Sequence, residues 1–217
     1  MEWTLERLRV LAEGDFSMIQ AGFAIENPHT GSRLVVIESD AETGGMGWVV
    51  ESHNVPHAGP DVPEHLHLSW TERFEIIAGV AHYSIDGVQR TAGSGDVIVV
   101  HPNQRHIHPW NAGETELVYR QRTELAEPNA GAVQDVLGMI ATVAGLAREG
   151  KVTADGRPKS LLQQAAMLKL FNRYGLYDTS LPTWLQDLLA ATVGSLAEAL
   201  GYKAVNPHDV GEPMARG

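Results

Sequence analysis

The stretch from Gly59 to Gly79, GPDVPEHLHLSWTERFEIIAG, decides the fold. His65 and His67 stand two residues apart, and in an extended strand successive side chains alternate faces, so both imidazoles point the same way, as chelation of one ion requires. Glu72 follows five residues after His67, far enough for a bend to bring its carboxylate back to the pair. Glu75 is out of phase with Glu72 and is expected on the opposite face of the sheet. Beyond the Gly95-Asp96 turn, His106 and His108 form a second pair with a shared face. Three imidazoles and one carboxylate make a nitrogen-and-oxygen donor set suited to a divalent first-row metal.

Outward from this stretch the chain reads as short β-rich runs: Leu34–Ile37, Gly47–Glu51, Phe74–Ile77, Ala81–Ile85, Val97–Val100 and Leu117–Arg120. Between them lie Thr43-Gly44-Gly45, Asp86-Gly87, Gly93-Ser94-Gly95 and Asn111-Ala112-Gly113, where glycine, aspartate or asparagine can adopt turn angles. Many short strands with regular turns predict an antiparallel sandwich or barrel. Trp70, Phe74 and Trp110 are expected in the core or a pocket wall, and His57 and His101, in loops, in solvent. After Glu127-Pro128-Asn129 the pattern turns helical. Leu185, Leu188, Leu189, Val193, Leu196 and Leu200 fall on one helix face between Pro182 and Gly201, and two more helices are expected at about Ala132–Glu149 and Pro158–Tyr174.

Composition divides the chain at the same place. Residues 1–124 carry eight Arg and no Lys against 18 acidic residues, and nine of the ten histidines; the remainder is nearly neutral. No basic stripe exists to neutralise phosphates, which argues against nucleic acid as a partner. With no cysteine, thiolate nucleophiles, iron–sulfur clusters and sulfur-ligated zinc are excluded. The opening MEWTLERLRV has charge where a signal peptide has its apolar core, so a cytoplasmic location is expected. No run approaches the roughly 18 apolar residues of a membrane span, and Val136 to Ala147 is only long enough for a soluble helix.

The quoted residues resemble the cupin family. Its first motif is matched without a gap by Gly59, His65, His67, Glu72 and Gly79. Its second is matched by Gly95 and His106, with His101 in place of proline, Asn103 in place of glycine and Asn111 one residue late. Asparagine tolerates positive φ best after glycine, so the turn at Asn103 is expected to survive. The chain also resembles bacterial single-domain cupins (cupin type 2) that open with Glu26, Asn27, Pro28, Thr30 and Gly31 and append helices carrying a stretch like Gly145 to Lys151. The resemblance implies a mainly β fold, a cupin double-stranded β-helix or jelly-roll barrel at 26–124, after an N-terminal segment at 1–25 and before a helical C-terminal extension at 125–217.

It further implies one divalent metal ion (Fe, Mn, Zn or Ni) on His65, His67, Glu72 and His106. Four protein ligands would leave an octahedral ion two positions for water, oxygen or a bidentate substrate. His108 is the candidate catalytic side chain, as a substrate contact or an orienting partner; the alternative is that it fills the barrel. Two functions remain open: a metal-dependent enzyme of oxygenase, isomerase or cyclase type acting on a small oxygen-rich molecule, or a non-catalytic cupin that binds or senses such a ligand. The apolar helix faces need cover from the barrel and the other helices, a second copy or a membrane surface. A symmetric homodimer is the favoured expectation, and the scarcity of Lys and Arg beside the leucines disfavours the membrane.

Overall fold

A computed structural model describes residues 19–210. Its strands are β1 (Ala24–Asn27), β2 (Ser32–Glu38), β3 (Gly47–Asn54), β4 (His65–His67), β5 (Thr71–Ala78), β6 (Val80–Ile85), β7 (Val88–Gly93), β8 (Val97–Val100), β9 (His106–Trp110) and β10 (Leu117–Glu124), with a helical turn α1 (Asp40–Thr43) before β3. Helices α2 (Ala130–Arg148) and α3 (Leu161–Arg173) follow, then a further strand β11 (Leu176–Asp178). The described chain then forms one helical run, composed of α4 (Thr183–Leu189), a π-helical turn (Ala190–Gly194) and α5 (Ser195–Ala199).

The strands pair into two antiparallel sheets, ordered β1-β2-β3-β10-β5-β8 and β11-β4-β9-β6-β7. From β3 to β10 the chain passes back and forth between them, so that β3-β10-β5-β8 faces β4-β9-β6-β7. That is the jelly-roll, or double-stranded β-helix, arrangement. Among the described residues no strand pairing joins the two sheets, so the expected barrel is a two-sheet sandwich and not a closed hydrogen-bonded cylinder. The turns form where the sequence places them. Asp86 and Gly87 both have positive φ, 53° and 76°, as the two-residue link between Ile85 and Val88 requires. Asn103 has φ 67°, the left-handed conformation expected of the residue that replaces glycine.

Alternation sorts the interior. On β5, Glu72, Phe74 and Ile76 are buried while Glu75 is exposed; on β10, Leu117, Tyr119, Gln121 and Thr123 are buried. Phe74, Ile76, Ala81, Ile85, Ile98, Val100, Leu117 and Tyr119 form an apolar core. The buried polar residues Glu72, Gln121 and Thr123 lie beyond it, toward the histidines.

The C-terminal region is fused to the sheets. Asn129 caps α2 by accepting from the Ala132 amide, and Ser160 caps α3 by accepting from Gln163. Val133, Val136 and Leu137 of α2 share one core with Ile19, Phe23, Ile25, Val36, Trp48 and Trp70. By length and composition α2 could cross a membrane, contrary to the expectation for this segment, but 56% of its most apolar window is buried in the protein, as in a core helix. The extension is also not purely helical, because β11 pairs with β4.

The final helical run corrects a second expectation. Its buried face consists of Gln186, Ala190, Gly194 and Ala197, whereas of the expected stripe Leu185 and Leu189 are half-buried and Leu188, Val193, Leu196 and Leu200 are exposed. Small residues allow close approach to α3: a Cβ at Gly194 would lie 2.9 Å from the Ala165 carbonyl oxygen. Contact through alanine and glycine therefore leaves most of the leucine stripe facing outward.

Candidate metal centre

Two sheets contribute to the centre. His65 of β4 stands directly opposite His106 of β9, with ring centroids 4.2 Å apart, and His67 lies two residues further along β4. Glu72 reaches them from β5 in the facing sheet. Its Oε2 is 3.2 Å from His67 Nε2 and 3.1 Å from His106 Nε2. One ligand atom from each of His65, His67, Glu72 and His106 fits within 4.8 Å of all the others, and all four residues are buried, so this group could hold a metal ion. His108 comes to the same place, with its Nε2 3.1 Å from Glu72 Oε2. Its side chain is 15% exposed, whereas those of His67 and His106 are fully buried.

The imidazoles are oriented from behind. His65 Nδ1 lies 2.9 Å from the Pro63 carbonyl, and His106 Nδ1 lies 3.0 Å from the Gln104 carbonyl. A carbonyl only accepts, so each Nδ1 donates and each Nε2 is left to face the centre, the arrangement that fixes a ligand's tautomer. In neutral His106 the Nε2 lone pair then confronts an acceptor-only carboxylate oxygen, and a cation, proton or metal, must lie between them. His67 is plainer still: neither ring nitrogen has a hydrogen-bond partner, although the side chain is buried. Orphaned buried nitrogens are rare because each costs about 1–3 kcal/mol. The donor set fits a divalent first-row metal.

Burial, then His108 and His106, holds the His65 imidazole well below the ordinary histidine range. For Glu72, burial alone would raise the carboxyl; His108, with hydrogen bonds from His106 and His108, overcomes it and holds the group well below the usual carboxylate range. Burial, with the Asp61 carboxylate, pushes the Tyr119 phenol up against the opposing hydrogen bonds of Ser52 and Asn54, so it stays a neutral hydroxyl.

Other sequence expectations resolve locally. Trp70 is buried and stacks on His67 at 5.8 Å and 24°, with Trp48 edge-on to it at 5.4 Å. His57 and His101 are exposed. Asn111 is a turn pin: its Nδ2 donates to the carbonyls of Asn54, Val55 and Thr115, and its Oδ1 accepts from Gly113. Gly79 has φ 82°, and a Cβ there would come 2.5 Å from the Glu116 carbonyl oxygen, which accounts for glycine at that point of the motif. Gly59 has open space around it, and nothing in the structure explains its place in the motif. Sequence reading missed Gln121 and Thr123, which hydrogen-bond Glu72 from β10. The signal for them was weak: two polar residues at the inward phase of a strand whose other inward residues are Leu117 and Tyr119.

A jelly roll of two facing antiparallel sheets, with three imidazoles of one turned toward a carboxylate of the other, has the cupin fold. No family model and no curated protein matches the chain. Solved structures resemble it in fold. A protein described as a predicted oxalate decarboxylase from Thermotoga maritima is 18% identical over 50% of this chain and 96% of its own, with a TM-score of 0.42. An uncharacterized conserved protein with a double-stranded β-helix domain from Klebsiella pneumoniae is 19% identical over 50% and 82%, with a TM-score of 0.38. A cupin 2 conserved barrel domain protein from Salinispora arenicola is 18% identical over 45% and 78%, with a TM-score of 0.36.

Proposed function

We propose that the protein is a metal-dependent cupin enzyme of oxygenase, isomerase or cyclase type, acting on a small oxygen-rich molecule that is anionic or chelating. His65, His67, Glu72 and His106 would hold one divalent ion, Fe, Mn, Zn or Ni. The observation that carries the reading is His67, buried without a partner for either ring nitrogen beside a carboxylate oxygen 3.2 Å away. A bound cation at this point supplies Lewis acidity, polarising a carbonyl or enolate oxygen or lowering the pKa of water.

The chain's own groups divide the remaining work. His108 is the most exposed imidazole of the cluster and contacts Glu72 through Nε2, which suits it to meet a substrate and to hold or move a proton at that atom. Tyr119, kept neutral by burial, offers a hydroxyl on the interior side. Trp70 and Phe74 keep water from the backs of His67 and His108. The competing reading is a binding module that senses or sequesters the same class of ligand.

We further propose a cytoplasmic homodimer, in which a second copy covers the exposed row Leu188, Leu196 and Leu200, with 26–124 as the cupin unit and 125–217 as its extension. The test of the central reading is metal analysis of protein purified without added metal, followed by a screen of small chelating carboxylates and enols for turnover. One ion per chain and a consumed ligand support the enzyme. Stoichiometric binding without consumption supports the sensor, and protein that takes up no metal even at millimolar supply refutes both.

A further inference from the structure

The two oxygens of Glu72 have different surroundings. Oε2 faces Nε2 of His67, His106 and His108 at 3.1–3.2 Å. Oε1 is taken from the other side by Gln121 Nε2 at 2.9 Å and Thr123 Oγ1 at 3.4 Å, and Gln121 Nε2 also reaches Thr123 Oγ1 at 3.1 Å. Glu72, Gln121 and Thr123 are all buried. The arrangement follows from register: Thr123 is directly opposite Glu72 in the β5–β10 ladder, and Gln121 is two residues earlier on the same face. It also has one direction, because an amide nitrogen donates and an ionised carboxylate only accepts. Turning the Gln121 amide over would set two acceptors against each other at 2.9 Å.

We propose that Gln121, seconded by Thr123, is a positioning residue that ties down Oε1 so that Glu72 meets the ion through Oε2 alone. The inference rests on the metal-binding reading and adds to it a reason for the site to keep room for substrate. A carboxylate free to rotate can present both oxygens and occupy a further position on the ion. One held by a buried amide cannot do so without breaking a charge-assisted hydrogen bond. Gln121 would therefore control, through Glu72, how many positions the ion retains for a chelating ligand.

The test uses the full-length chain titrated with cobalt(II), read by affinity and by the visible d–d spectrum, which reports coordination number. Gln121→Met keeps most of the volume and removes the donor. It is expected to lower cobalt affinity about 10- to 100-fold, the range for loss of a group that orients a ligand, and to weaken the d–d bands as the second carboxylate oxygen joins. Gln121→Glu, similar in shape but repelling Glu72, gives the second measurement if the methionine variant does not fold, and the same loss is expected. In a Glu72→Gln background the Gln121→Met change should add little, because the group it orients has gone. A wild-type chain that binds no cobalt overturns the metal reading and this inference with it. Wild-type binding with unchanged affinity and spectrum in folded Gln121 variants overturns only the role given to Gln121.

Discussion

Asp178 and His65 stand opposite each other in the β11–β4 ladder, so a strand from beyond α2 and α3 flanks the strand that carries two of the imidazoles. Around this junction Arg157 binds Asp178, Arg105 binds Glu64, and Thr179 donates to the Glu64 carbonyl oxygen. The extension thus backs β4 on the side away from β9. Replacing Tyr177, paired with Leu66 at the middle of this ladder, by proline removes a backbone donor. The expected result is a loss of roughly tenfold or more in metal affinity, measured by competition with a chromophoric chelator. An unchanged affinity would mean that β4 holds its shape without β11.

Glu72 and His108 should separate in mutation. Glu72→Gln removes the carboxylate whose Oε2 faces His67, His106 and His108 and is expected to weaken metal binding and abolish turnover. His108→Gln is expected to leave metal content nearly intact while lowering turnover about 100-fold or more, the usual scale for a proton-transferring side chain. Metal content measured alongside activity decides it: if the His108 variant loses its metal as completely as the Glu72 variant, His108 is a ligand.

Acid should destabilise the metal-free protein in a predictable direction. His65 is held well below the ordinary range when folded, but in the unfolded chain it takes up a proton as pH falls through about 6.5. The unfolded state then binds more protons, so stability is full above about pH 6.5 and declines below it. Glu72, also depressed, extends the loss to lower pH, below the usual carboxylate value of about 4.3. Metal affinity falls in the same direction, since the ligating imidazoles must be neutral. Urea midpoints of chelator-treated protein, flat from about pH 8 to about pH 5, would contradict the first part. His65→Gln should flatten the upper portion of the slope.

Gly79→Ala should cost about 1–3 kcal/mol, because the new Cβ meets the Glu116 carbonyl oxygen in a backbone conformation that alanine resists. A thermal midpoint equal to wild type would show that the turn relaxes freely.

The exposed leucines give the assembly its own test. The chain is expected to sediment as a dimer at micromolar concentration, and Leu188→Glu with Leu196→Glu, at positions 53% and 54% exposed, to convert it to a folded monomer. A wild-type monomer would refute the dimer. A dimer that survives both changes would move the contact elsewhere.

Much of this was legible in the sequence because it depends on period two. The shared phase of His65 and His67 and the opposite phase of Glu75 are strand arithmetic; the set completed by Glu72 and His106, and the left-handed turn at Asn103, came from the resemblance to the cupin motifs. What was not legible depends on which strands become neighbours. Gln121 lies 49 residues from Glu72, and only the β5–β10 register makes them partners. β11 is three residues long, too short to leave a pattern. The leucine stripe misled for another reason: a helix can bury its small residues when the neighbouring helix presents alanines, and the π turn at Ala190–Gly194 dephases any count based on a regular helix.

His67, folded away with neither nitrogen partnered, makes the empty protein costlier to keep folded than the loaded one. A cation that binds only the folded chain stabilises it by mass action, by about 2.7 kcal/mol when the free ion is a hundredfold above its dissociation constant. Since the unfolded fraction is what proteases and chaperones act on, a chain that takes up a metal as proposed would have a cellular lifetime that follows the supply of that ion, making its abundance a record of metal availability independent of any reaction at the site.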